Sequence, residues 1–250
     1  MRNFTKDTYI MKKTLFLLLC LIATFIVGCA SESKPFKQEN TANAAYSVTD
    51  DRGKVFNFTE PPKRMLTTSL AFQDILLEIV PVEHFIATSV SAADPNYSMT
   101  AEISKKIPNK YRPRITVEQV LKYKPDLFLT TPLTNPEVSS TLEDMGVKVF
   151  MLNQAETYDD IKKSIVKLGN LVNEKEKSAA ILQKMEAGEK ALAEKLAVIP
   201  KDKQKLAIQL TYSGTYGMLQ NIFGMLCDLA HVKNGMAIMP VRASMPVSKE

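Results

Sequence analysis

Ile115–Thr131 reads ITVEQVLKYKPDLFLTT. Thr116 stands where a hydroxyl caps a helix, and Gln119, three residues on, completes a capping box. Val117, Val120 and Leu121 then face inward and leave Glu118 exposed in the first turn, close to the positive end of the helix dipole. Lys124-Pro125 ends the helix, because the residue before a proline is pushed out of the helical region. Asp126 starts a short apolar strand that runs to Thr130. A capped helix feeding directly into such a strand is one unit of a parallel sheet with helices packed on its faces.

The same alternation extends on both sides. Met65 to Thr68, Phe85 to Thr88, Asp126 to Thr130 and Val147 to Leu152 read as four strands, each separated from the next by enough chain for a helical crossover. Those crossovers are right-handed in a parallel sheet, so the fold class is α/β. The helix after the third strand has Asn135 as N-cap, Pro136 at the first helical position, Val138, Leu142 and Met145 on one face, then Gly146. Thr157 with Asp160 opens another, striped by Ile161, Ile165, Leu168 and Val172. A longer one begins near Glu174, with Ile181, Met185, Leu192, Leu196 and Ile199 as its buried stripe and Gly188 in the open slot; it runs for about 26 residues, roughly 40 Å. Pro200 ends it, and a new strand follows at Leu206 to Leu210, then a loop with Tyr212 and Tyr216 and a helix around Leu219 to Ala230. A helix that long between one finished sheet and a new strand reads as a strut between two lobes. Ahead of the first strand, Val48 to Gly53 and Lys54 to Phe58 read as a hairpin turned by Asp and Gly and stopped by Pro61 and Pro62.

The amino terminus carries an address. Lys12 and Lys13 precede an apolar run from Thr14 to Val27, closed by Gly28 and Cys29. A basic segment, an apolar core and small residues before a cut make a secretory signal. The run is about 14 residues, short of the roughly 20 that span a bilayer. Its end resembles the bacterial lipobox, which implies that Cys29 is the lipidated residue and the new amino terminus, held at a membrane surface by acyl chains. Met11 is an alternative start. Residues 30 to 45 offer little to bury and read as a flexible tether.

Composition sets the remaining bounds. Apolar residues make up 45% and charged residues 24%, as in folded globular domains. The formal charge of +5 falls once residues 1–28 are set aside, leaving 28 basic against 26 acidic residues and no footprint for nucleic acid. Of three cysteines, Cys20 lies in the signal and Cys29 carries lipid, which leaves Cys227 without a partner and reads as a small core residue among Met225, Leu226 and Leu229. His84 and His231 have no metal-ligand spacing, and neither a nucleophile elbow nor a phosphate loop occurs.

Three segments together carry a resemblance: VTDDRGKVFNFTEPPKRM from Val48, TTSLAFQDILLEI from Thr67, and VEQVLKYKPDLFLTT from Val117. From Val48 to Glu250 the chain resembles the helical-backbone (class III) substrate-binding lipoproteins of bacterial ABC importers, which carry iron siderophores, haem or cobalamin. The resemblance implies two Rossmann-like lobes joined by one rigid helix, with the ligand in the cleft between them. It divides the chain into a signal (1–28), a tether (29–45), an amino-terminal α/β lobe (46–173), an inter-lobe helix (174–200) and the start of a second α/β lobe (201–250), whose sheet the chain leaves incomplete, as in a carboxyl-terminal truncation. Partners so implied are an ABC permease and its ATPase, at a membrane lipid anchor facing the periplasm or outer surface.

The resemblance also implies docking onto arginine-lined permease pockets by one acidic residue on each lobe. Val247-Ser-Lys-Glu250 repeats the opening of Ile115-Thr-Val-Glu118, so Glu118 and Glu250 stand at the matching places. Open parallel sheets bind ligands beyond the carboxyl ends of their strands. That rule selects Ser69 and Leu70, Tyr97, Tyr111, Arg112 and Arg114, and Thr131 from the first lobe, with Tyr212 and Tyr216 from the second. A guanidinium there suits a carboxylate or the charged rim of a chelate, and Tyr111 suits stacking on a flat ligand; solvated loop charges beside Pro113 are the competing reading of the two arginines. Many members of the family have a glycine before this helix, and the sequence departs from them here. The expected role is capture and delivery with no catalysis, no metal ligand set and no cofactor of the protein's own, the ligand being an iron chelate, haem or corrinoid. The alternative is a surface-anchored enzyme or adhesion lipoprotein that reuses the fold.

Overall fold

The computed structural model describes residues 45–112, 114–211, 214–216 and 222–237. The first element is the expected hairpin: β1 (Tyr46–Thr49) pairs antiparallel with β2 (Val55–Phe58), Thr49 opposite Val55. Gly53 closes the turn with φ +84°, donating its N–H to the Asp50 carbonyl at 3.1 Å. The Asp50 carboxylate is buried and accepts from the backbone N–H of Arg52, Lys54 and Met151 at 2.9, 3.0 and 3.3 Å. The Arg52 guanidinium lies 2.7 Å from Asp50 and 2.9 Å from Glu143, and donates to the Val149 carbonyl at 2.6 Å. Every charged residue of the DDRG turn is thereby used to fasten the hairpin to the rest of the fold, since Asp51 also pairs with Lys167, on the helix Tyr158–Leu171. Tyr46 clamps the other end by donating its hydroxyl to the Leu171 carbonyl at 2.9 Å; burial, then the nearby charge of Asp126, pushes its pKa up to about 12.

Behind the hairpin stand five parallel strands. β3 (Met65–Thr67) is followed by β4 (Ala87–Ser89), β5 (Asn109–Tyr111), β6 (Leu127–Thr130) and β7 (Val149–Met151). Ladders join β3 to β6, β6 to β7, and β4 to β5, while a parallel bridge between Met65 and Phe85 sets β4 beside β3. The spatial order is therefore β5-β4-β3-β6-β7. Side chains alternate as the pleat requires. Met65, Leu127, Leu129 and Phe150 enter one core with Phe72 and Leu76 of α1 (Leu70–Leu77) and the hairpin residues Phe56 and Phe58. Leu66, Phe128 and Val149 enter the opposite core, against Val120 and Leu142.

The other helices of this part are α2 (Ala101–Ser104), α3 (Val117–Tyr123), α4 (Pro136–Asp144) and α5 (Tyr158–Leu171). The expected capping box forms between Thr116 and Gln119, Thr157 and Asp160 open α5 as a second one, and Asn135 caps α4 with Pro136 inside it. Gly146 follows α4 at φ +85°. The strands are shorter than the apolar runs suggest, and the second begins at Ala87, because Val82–His84 form a 3₁₀ turn before it. Neither β5 nor α2 was anticipated. Met145, assigned to the inner face of α4, is 58% exposed, for the helix has already ended at Asp144.

Beyond α5 the departures are larger. α6 (Lys175–Leu196) starts where expected but is 22 residues long, and its apolar stripe is not buried: Ser178 alone is, Ile181 and Met185 are half-buried, and Leu192 is 40% exposed. What holds it is its first turns, where Gly169 of α5 lets Ser178 approach so closely that a Cβ on Gly169 would sit 2.4 Å from Ser178 Cβ. The single strand expected over Leu206 to Leu210 is two. β8 (Leu206–Ala207) pairs parallel with β11 (Lys233–Asn234), and β9 (Gln209–Thr211) pairs antiparallel with β10 (Gly214–Tyr216). α7 (Ile222–Leu229) buries Cys227, whose thiol pKa is raised by that burial and by Asp228. These described residues all fall in the unit Ala42–Glu250. Among them, no helix is long and apolar enough to cross a membrane.

Candidate functional site

Chain order and spatial order of the strands reverse direction between β3 and β6. From β3 the chain steps outward through β4 and β5, then returns to lay β6 and β7 on the other side. At such a switch the loops leaving adjacent strands diverge to opposite faces and leave a crevice at the carboxyl ends. A cavity of about 1030 Å³ lies there. Its walls are Thr68, Ser69 and Leu70 after β3, Ser89 and Ser91 at the end of β4, Arg114 after β5, and Thr131 with Leu133 after β6.

Hydroxyls dominate the floor. Thr68 and Thr134 lie 3.0 Å apart, Thr130 donates to Thr134 at 2.6 Å, and Thr68 lies 3.3 Å from Thr130, a closed triangle joining β3 to the loop after β6. Three helices begin at the walls with their N-caps formed: Ser69 for α1, Thr116 for α3 and Asn135 for α4. Tyr111 contributes its ring, 5% exposed, and donates its hydroxyl to the Thr67 carbonyl; burial, then Tyr123, raises its pKa. That bond makes the tyrosine a fixed part of the wall. Arg114 takes a left-handed backbone, φ +68°, a conformation costly for a side chain with a Cβ and concentrated at functional positions. Glu118 and Glu137 are exposed at the rim, and hydrogen bonds from the Thr116 hydroxyl and its own backbone N–H hold the Glu118 carboxyl below the usual range. The arrangement suits a ligand rich in oxygen acceptors with some negative charge, and it offers no nucleophile paired with a base. Among the described residues no three His, Cys, Asp or Glu side chains gather as a metal site.

Further hollows lie among the described residues. One of about 1240 Å³ runs between β1 and α5 and shares Leu133 and Gln154 with the first. Another, about 570 Å³ beside Arg64 and Phe85, lies at the amino ends of the strands.

A family model described as periplasmic binding protein matches residues 67–238. The chain belongs to that family. It is 23% identical over 193 residues to YvrC, an uncharacterized ABC transporter substrate-binding lipoprotein of Bacillus subtilis; the alignment takes in 75% of this chain and 60% of the relative, so the chain spans less than two thirds of that protein's length. The fold is similar to that of the molybdate-binding protein MolA of Haemophilus influenzae (TM-score 0.66, 16% identity, 81% of this chain and 69% of that one). It is similar also to the heme-binding protein RhuT of Roseiflexus sp. RS-1 (0.63, 18%, 74% and 70%), and to a possible iron-binding protein of Staphylococcus epidermidis (0.60, 19%, 76% and 72%).

The family is one of binding proteins rather than enzymes. Of the residues selected from sequence, Ser69, Leu70, Tyr111, Arg114, Thr131 and Glu118 line the cavity. Arg112 is exposed outside its wall, and Tyr97, 68% exposed, stands apart from it on the long loop after β4. Cys29, Tyr212 and Glu250 lie outside the described residues, as does the side chain of Tyr216. The hydroxyl triangle was missed: Thr68 and Thr130 are 62 positions apart, and only the β3–β6 ladder makes them neighbours. Threonines at the ends of two apolar strands were the available signal.

Proposed function

We propose that this chain is the solute-capturing component of an ABC importer, anchored by lipid on Cys29, which takes a ferric siderophore, haem or cobalamin and hands it to a permease. The observation that carries this reading is the hydroxyl-lined cavity with Arg114 at the switch point of a parallel sheet. The relatives named as heme-binding and possibly iron-binding point to the same kinds of ligand. In this reading residues 46–173 are one lobe, 174–200 the connecting helix and 201–250 the beginning of a second lobe that contributes Tyr212 and Tyr216. The test is an absorption titration of the detergent-solubilised full chain with a ferric trihydroxamate, haemin and cobalamin. Saturable, stoichiometric binding of one of them is expected; no saturation with any contradicts the proposal.

Glu118 is assigned to permease docking, with Glu250 as its counterpart. An exposed, ionised carboxylate in the first turn of a helix is free to meet an arginine in charge-assisted hydrogen bonds, which offset the water it gives up on docking. Glu118→Ala is expected to lower uptake severalfold in cells carrying the cognate permease and ATPase, by more than any change in ligand affinity from its place at the cavity rim accounts for. Unchanged uptake removes the docking role.

A further inference from the structure

We infer that Leu133 is a ligand-contacting residue that determines specificity: an apolar post between two subsites, selecting ligands that place an apolar flank beside an oxygen-rich group. The inference rests on the binding role proposed above and deepens it. Leu133 is 78% exposed. Exposure of one leucine means little by itself, since much of any protein surface is apolar; its position and its anchoring carry the argument.

Leu133 forms part of the wall of both of the larger cavities described above, and among the described residues only Gln154 shares that placement. On one side lie the hydroxyls of Thr68 and Thr131, on the other the charged side chains of Asp159 and Lys162 along α5. A ligand seated in either hollow meets the leucine from one flank, and a ligand spanning both straddles it. The post is also stiff. Leu133 donates its N–H to the Thr131 hydroxyl at 3.3 Å, Thr134 donates its N–H to the Thr131 carbonyl at 3.0 Å, and the Thr134 hydroxyl belongs to the triangle with Thr68 and Thr130. Pro132 restricts the turn further. A turn whose backbone is already fixed need not be ordered when a ligand covers its apolar side chain, so less of that burial is spent on ordering the loop.

The experiment is the same titration, with the ferric trihydroxamate and haemin as probes, on the unsubstituted full chain, Leu133→Ala and Leu133→Met. Leu133→Ala is expected to weaken the probe that binds by about tenfold to a hundredfold, the range for withdrawing a leucine side chain from a covered surface. Leu133→Met, of similar volume and apolarity, stays within about threefold of the unsubstituted chain. Since the side chain touches solvent, unfolding curves of all three should coincide. If the unsubstituted chain binds a probe and Leu133→Ala binds it equally well, this inference falls while the proposed function stands. If the unsubstituted chain binds neither probe, this inference falls, and the proposed function falls with it when cobalamin does not saturate the chain either.

Discussion

Asp50→Ala is expected to lower the unfolding free energy by about 3 kcal/mol or more, measured by urea denaturation, the cost of breaking a buried ion pair by removing one partner. The carboxylate is fully covered and accepts three backbone N–H bonds besides its contact with Arg52. Alanine leaves those donors without an acceptor. It also leaves the Arg52 guanidinium with Glu143 and the Val149 carbonyl alone. Because Arg52 keeps 30% of its side-chain surface in solvent, the loss belongs at the lower end of the range for buried pairs. The hairpin is the lid of the core that holds Phe56, Phe58 and Phe150, so loosening its turn exposes aromatic surface as well. A loss below about 1 kcal/mol, the worth of an exposed pair, would show that the DDRG turn is not what fastens the hairpin.

Gly169→Ala is expected to destabilise the protein by about 1–3 kcal/mol even though alanine is the better helix former by about 1 kcal/mol. The new methyl would stand 2.4 Å from Ser178 Cβ, an atom fixed to the backbone of α6, and 3.3 Å from the Glu174 carbonyl oxygen. Rotating the serine hydroxyl does not relieve this. The two helices must separate, and Ser178 is the only buried residue of α6. Adding Ser178→Gly moves the single Cβ to the other side of the interface and should recover most of the loss in a double-mutant cycle. Strict additivity of the two changes would place the close approach elsewhere.

Much of the amino-terminal part was legible because its signals are local. The capping box at Thr116, the Thr157 opening with Asp160, the Asn135-Pro136 start and the Lys124-Pro125 stop each act within four residues, and all are found in place. Two of the family-like motifs turn out to hold each other: Asp126 accepts the backbone N–H of Lys63 and Arg64 at 2.8 and 3.0 Å, while Arg64 donates to the Tyr123 and Lys124 carbonyls at 2.8 and 3.0 Å. What escaped depends on partners far along the chain. β5 is three residues, Asn-Lys-Tyr, with no apolar alternation, and it is a strand only because β4 lies beside it. Leu206 to Leu210 divides because its two ends pair with different strands. The stripe of α6 has helical periodicity, yet periodicity states which face prefers burial, not whether anything covers it. In the cavity, single residues such as Ser69 and Thr131 follow from the rule about strand ends, whereas the Thr68–Thr130–Thr134 triangle requires the ladder register.

The central claim is that ligand meets the carboxyl ends of β3 and β6. Amide hydrogen exchange of the full chain, with and without the probe that saturates it, tests this directly. The account predicts slowed exchange concentrated in residues 68–70 and 131–135, with no change around Arg64 and Phe85 at the opposite ends of the strands. Protection at Arg64 and Phe85 with none at 68–70 and 131–135 would contradict it.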